Sequence, residues 1–130
     1  MATGFMQRFK GKISAAIIQM SVGGQFFGSV SEGLTAHAGG GQGSATPITA
    51  MVNRFTTVAT IADSSILPKL AIAGAEITVI NAGAASMNVF PDSGSTINGG
   101  GANAAVAVPA GKTATFYTTL VGAWHMLLSA

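Results

Sequence analysis

The stretch that decides the fold is Glu76-Ile-Thr-Val-Ile-Asn81, followed by Ala82-Gly-Ala-Ala85, Ser86-Met-Asn-Val-Phe90 and Pro91-Asp-Ser-Gly94. In its first six residues the side chains alternate, Ile77 and Val79 on one face and Thr78 and Ile80 on the other. The β-branched residues suit a pleated surface. Residues 86–90 repeat the pattern, with Met87 and Val89 on one face and Asn88 and Phe90 on the other. The four residues between the two runs predict a hairpin. Pro91 to Gly94 then forms a turn, because Pro fixes φ, Asp caps with its side chain and Gly accepts left-handed backbone.

The same reading extends outward on both sides. Upstream, residues 54–61 (RFTTVATI) are rich in β-branched side chains and predict a strand. Asp63-Ser-Ser65 predicts a turn, and Pro68 argues against a central strand there. Downstream, Ile97-Asn98 predicts a brief strand and 104–108 (AAVAV) a longer one with Val106 and Val108 inward. Residues 113–119 (TATFYTT) set Phe116 and Tyr117 on opposite faces, and 123–128 (AWHMLL) closes the chain. Turn signals every ~8–12 residues predict an all-β fold, a small antiparallel β-sandwich or jelly-roll-like barrel. Ile77, Val79, Val89, Phe90, Val106, Val108, Phe116, Trp124, Leu127 and Leu128 are its expected core.

The chain has 130 residues, one domain's worth. Charged residues make up 8% and hydrophobic ones 48%. A typical chain carries ~25% charge, so a highly charged disordered protein is excluded. So few charges poorly coat a monomer, and a symmetric homo-oligomer, trimer or dimer, is expected. Composition divides the chain at residue 45. Residues 46–130 form the β-sandwich domain. Residues 1–45 read as an extended N-terminal arm ending in a flexible tether, Gly39-Gly-Gly-Gln-Gly43. The arm carries Arg8, Lys10 and Lys12 alternating with Phe9, and has Phe5, Phe26 and Phe27 in surroundings without a core of their own. These seven residues are expected to dock on a partner chain. Residues 13–31 are uncharged but hold Gln19, Gln25 and Gly23-Gly24, which disfavours a membrane span. The apolar run 13–18 falls short of the ~7–15 residues of a secretory signal.

Chemistry is sparse. There is no cysteine, hence no disulfide and no thiolate ligand or nucleophile. The four carboxylates are Glu32, Asp63, Glu76 and Asp92, and both aspartates read as turn residues, although folding could pair them as in a glycosidase. His37 and His125 lack metal-ligand spacing, with a metal shared on a symmetry axis as the other reading. No GxSxG elbow is present, and the glycine run lacks the Lys-Ser/Thr of a phosphate loop. The expectation is a protein without catalytic residues, cofactor or metal. Net charge is +2, and residues 13–130 hold no basic excess, so no specific nucleic acid is expected.

Taken in order, Asn81-Ala-Gly83, Met87-Asn-Val-Phe-Pro91, Gly94-Ser-Thr-Ile-Asn-Gly99, Pro109-Ala-Gly-Lys-Thr-Ala-Thr-Phe116 and Gly122-Ala-Trp124 resemble small structural proteins of tailed bacteriophages. The resemblance spans roughly residues 54–130, and its parts occur in capsid decoration (cement) proteins and in tail-fibre modules. Residues 1–12 (MATGFMQRFKGK) look like the start of free-standing small virion proteins. The resemblance implies a virion location on the capsid exterior, with the major capsid protein as partner and no catalytic residues. The alternative it implies is a tail-fibre or receptor-binding module. The chain shows no repeat at a fixed period, which favours decoration.

Overall fold

The computed structural model describes residues 28–39 and 41–130. The described residues are all-β, with no α-helix among them. Ten strands run in chain order: β1 (Val30–Thr35), β2 (Thr46–Pro47), β3 (Val52–Thr57), β4 (Ser64–Ile66), β5 (Glu76–Asn81), β6 (Met87–Phe90), β7 (Thr96–Ile97), β8 (Val106–Val108), β9 (Thr113–Leu120) and β10 (Ala123–Leu128). They make a six-stranded sheet, β1-β3-β5-β9-β10-β7, and a four-stranded sheet, β2-β4-β6-β8.

The first six strands wind as a solenoid. The chain passes from one sheet to the other and back, so β1, β3 and β5 stack parallel in the large sheet. β2, β4 and β6 stack parallel in the small one. Hydrogen bonds between coils also hold the corners. Ala36 N donates to Thr57 O at 2.9 Å, Ala82 N to Phe55 O at 2.8 Å, Ile48 N to Ile66 O at 2.9 Å and Leu67 N to Phe90 O at 2.9 Å. Antiparallel strands close the far end, β8 on β6, β9 on β5 and β10 on β9. β7 lies parallel beside the start of β10.

This architecture corrects the expected antiparallel sandwich or jelly roll. β5 and β6 do not form a hairpin; they lie in different sheets, and each pairs parallel with the preceding coil. The connection at Ala82–Ser86 is a coil corner. Asn81 builds it: its Nδ2 donates to Ala85 O at 2.9 Å and to Val108 O at 2.8 Å, while its Oδ1 accepts from Gly83 N at 3.0 Å. Gly83 is required there, because a Cβ would lie 2.5 Å from Val58 N. Asn53 holds another corner, donating from Nδ2 to Ala50 O at 2.7 Å and accepting from Ala50 N at 3.2 Å.

The core lies between the sheets. Phe55, Val58, Val79, Met87, Val89, Val108, Phe116 and Trp124 are buried in it, with Ile48 and Leu67 from the corners. The expected inward residues Ile77, Val79, Val89, Val108, Phe116 and Trp124 are there. Val106 is partly buried against them and Phe90 is half-buried. Leu127 and Leu128 are corrections, at 63% and 36% exposed: alternation from the buried Trp124 turns Leu127 outward, and Leu128 lies where β10 runs past the two-residue β7. Asp63-Ser64-Ser65 is another. Asp63 makes the turn, but Ser64 and Ser65 are buried in β4.

Residues 28–39 and 41–45, expected in the arm, lie on this body. β1 is a strand of the large sheet, and the 3-10 turn Gln42–Ser44 is tied down by Gln42 Nε2, which donates to Pro91 O at 2.7 Å and Asn103 Oδ1 at 3.0 Å. Among the described residues β1 and β2 are the outer strands of the first coil. β1 is bulged where Glu32 and Gly33 intervene in its register with β3, Gly33 having φ +73°, and β2 ends in Pro47.

Candidate interaction surface

The sequence-predicted docking residues Phe5, Arg8, Phe9, Lys10, Lys12, Phe26 and Phe27 lie outside the described residues. Two features of the described body are candidates for a docking role. One is the outer face of the six-stranded sheet; the other is a groove beside the point where the described chain begins.

Alternation fixes the outer face. Phe55, Val79, Phe116 and Trp124 point inward, so their neighbours point outward. The register aligns these into rows: Val30, Val52, Thr78, Thr115 and Leu127 in one, then Arg54, Ile80 and Thr113, then Glu76, Tyr117 and His125. Side chains opposite one another on adjacent strands sit ~4.5–5.5 Å apart at Cβ. The first row carries no charge. In the second, Arg54 Nη1 meets Glu32 Oε1 at 2.5 Å, a pair exposed at 42% and 58% on its two sides and therefore of small energetic weight. In the third, His125 Nε2 shares a 3.1 Å hydrogen bond with Thr119 Oγ1. The row through the middle of this face is thus made of threonine and aliphatic side chains, with Glu76 in the row on one side and Arg54 in the row on the other.

The groove has a volume of about 610 Å³ and is open to solvent. It lies at the corners where the chain passes from the small sheet to the large one. Ser29, Ala50, Met51, Pro68, Leu70 and Ile77 line it, with the charged Glu76 also in its wall. Ile77 belongs to the core and Leu70 packs against it, so the groove opens onto the core.

The remaining candidates resolve into structure. Trp124 is buried, and its Nε1 donates to Asp92 Oδ1 at 3.1 Å, so the single tryptophan is no exposed platform. Asp63 accepts from Thr60 Oγ1 at 2.7 Å, Thr60 N at 3.0 Å and Ala59 N at 2.9 Å. The Thr60 hydroxyl, then its backbone N–H, hold the Asp63 carboxyl below its ordinary pKa against the opposing effect of burial. Both aspartates are therefore turn residues with capping or anchoring partners. His37 makes a backbone bridge to Ser64, exchanging bonds of 2.9 Å in each direction. His125 is a hydrogen-bonded, exposed strand residue. No group of three or more His, Asp or Glu is placed to hold a metal among the described residues. No helix among them is long and apolar enough to cross a membrane.

The signal for the groove was out of reach of the sequence, since its walls come from three separate segments. The signal for the sheet face was present as the alternation of 76–80 and 113–119. No protein-family model and no curated protein matches the chain.

Proposed function

We propose that this protein is an architectural component of a tailed-phage virion, bound to the outside of the capsid, where it stabilises contacts between major capsid subunits. The observation that supports the reading best is the uncharged row across the outer face of the large sheet, Val52, Thr78, Thr115 and Leu127. A face of this kind can be laid against another protein with little desolvation of charge. The motif order over residues 54–130 supports the virion assignment by resemblance. The arm segment with Phe5, Arg8, Phe9, Lys10 and Lys12 supplies basic and aromatic groups suited to an acidic or apolar seam on the shell. In this reading the protein has no catalytic role, takes no cofactor, and assembles as a homo-oligomer, a trimer or a dimer.

Sedimentation of purified protein with empty capsids tests this. Removal of residues 1–27 leaves β1 and the Gln42 turn in place, unlike a cut at residue 45. The shortened chain is expected to fold and to bind shells more weakly. Leu127→Lys, at a position 63% exposed, is expected to leave stability nearly unchanged, as exposed substitutions usually do, and to abolish co-sedimentation. Full binding by both variants would overturn the reading.

A tail-fibre module is the second reading, and one observation favours it. Three stacked parallel coils are a repeating architecture of the sort an elongated fibre extends. Copy number separates the two. Hundreds per particle support the capsid, and a few in multiples of three or six support the tail.

A further inference from the structure

We propose that Asn98 is a site of self-modification: the backbone N of Gly99 closes on its side chain, the ring opens to aspartate or isoaspartate, and the isoaspartate form frees β7 from β10. Asn53, Asn81, Asn88 and Asn103 are followed by Arg54, Ala82, Val89 and Ala104. Asn98 alone is followed by glycine, whose missing side chain leaves its N open to approach. Ile97 to Gly100 form a type I′ turn, with φ +54° at Asn98, φ +69° at Gly99 and Gly100 N donating to Ile97 O at 3.0 Å. Both central residues are exposed. Gly99 N makes no hydrogen bond among the described residues. Met126 N donates to Asn98 Oδ1 at 2.8 Å. Negative charge collects on that oxygen when Cγ is attacked, and a donor aimed at it lowers the barrier. Asn103 is the internal contrast. It is also exposed and left-handed, at φ +66°, but the N that follows it belongs to Ala104 and is held by Gly101 O at 3.1 Å.

The chemistry needs only water. Rotation at Asn98 brings Gly99 N to Cγ once the bond from Gly100 to Ile97 opens. The lone pair of Gly99 N forms the N–Cγ bond, the Cγ–Nδ2 bond breaks, and Nδ2 leaves as ammonia with the proton that Gly99 N gives up. Water then adds to one carbonyl of the cyclic imide. Breaking N–Cγ gives aspartate. Breaking the bond from N to the Asn98 carbonyl carbon gives isoaspartate, with Cβ and Cγ in the main chain.

The two products differ in what they do to the sheet. β7 has two residues, and its bonds to β10 continue into Asn98: Thr96 N donates to Gly122 O at 3.0 Å, Asn98 N to Trp124 O at 2.8 Å, and Oδ1 accepts from Met126 N. The side-chain oxygen of Asn98 thus stands in for the next rung. Aspartate keeps that oxygen in place. Isoaspartate lengthens the main chain and moves it, which leaves Met126 N without its acceptor and uncovers this edge of the large sheet. The proposal concerns the free chain and does not rest on shell binding, so failure of either leaves the other standing.

The test uses the unaltered full chain, held in warm, mildly alkaline buffer and mapped peptide by peptide for the mass of an acid in place of an amide. Conversion at Asn98 is expected to exceed that at Asn103 by about tenfold or more. Equal conversion at Asn103 would overturn the proposal. So would conversion of Asn98 in urea with none in the folded chain, because the turn would then be a shield. A second measurement reads the consequence. The isoaspartate fraction, separated by its added negative charge, is expected to exchange the Met126 amide hydrogen about tenfold faster than the parent. Asn98→Asp, which has the acid without the longer main chain, is expected to match the parent. Unchanged exchange in the isoaspartate fraction, or equally fast exchange in Asn98→Asp, would overturn the release of β7.

Discussion

Asn81→Ala removes three hydrogen bonds that join β5, the corner at Gly83 and Ala85, and β8 in the opposite sheet. Asn81 is fully buried, so water cannot replace them freely. Each intramolecular bond is worth about 0.5–1.5 kcal/mol net, and an orphaned buried partner costs about 1–3 kcal/mol. The expected loss is therefore about 2–4 kcal/mol, a large fraction of the ~5–15 kcal/mol of an ordinary domain. Urea unfolding followed by the fluorescence of Trp124, the single buried tryptophan, reads it directly. With a slope of ~1–3 kcal/mol/M the midpoint falls by about 1–3 M. Asn81→Asp sharpens the test. The substitution keeps the shape but faces an ionised carboxylate toward the carbonyls of Ala85 and Val108. Those acceptors favour the protonated form, so the introduced carboxyl has a folded pKa above its unfolded value of ~3.9. The folded state then holds the extra proton between the two values, and stability falls as pH rises through that window. The gap between N81D and the parent protein is expected to widen from pH 4 to pH 8. A midpoint shift of N81A below about 0.3 M, or a pH-independent N81D, would refute the assignment of Asn81 as the corner's tie.

The depressed pKa of Asp63 predicts a stability contribution present above the unfolded value and lost as pH falls through the lower folded value. Urea midpoints of the parent protein and of Asp63→Asn, measured from pH 6 down to pH 2, are expected to converge at the acid end; parallel curves would contradict this. Two glycine substitutions should rank by mechanism. Gly94→Ala meets no atom within 4 Å but must hold φ at +85°, costing about 1–2 kcal/mol. Gly83→Ala drives a Cβ into the backbone of Val58 and is expected to cost about 3 kcal/mol, the upper end of overpacking. Thermal unfolding of the pair checks the order, and the reverse order would refute it.

Individual strands were far more legible than their pairing. Residues 76–81 and 123–128 form strands at the predicted bounds, because alternation and β-branching act locally. The inward pair Ile77/Val79 followed from the same period of two, which also puts Met87 on the face of Val89, although the expected core took Phe90 in place of Met87. The hairpin expected between residues 81 and 86 failed because a short loop serves equally well as a coil corner, and a buried asparagine side chain decides between them. The parallel stacking was hidden by unequal coils. Val30, Val52 and Thr78 are stacked, but lie 22 and 26 residues apart. A sequence with such steps has no fixed period to find. β4 was hidden because Asp63-Ser64-Ser65 has turn chemistry, and its strand geometry comes from β2 and β6 on either side. Of the candidate site, the outward alternation at Thr78, Thr115 and Tyr117 was legible, whereas the groove exists only once Met51, Leu70 and Ile77 are brought together.

The first coil also sets a limit on growth. A stack of parallel coils offers, at its end, the template on which another copy could continue, and unchecked continuation is polymerisation into filaments. Here the two strands that end the stack among the described residues are poor templates. The bulge at Glu32 and Gly33 breaks the straight row of backbone groups in β1. Pro47 withholds a donor from β2. This end of the stack is thereby a poor seat for a further strand, and contact there is left to side-chain faces instead of shared backbone.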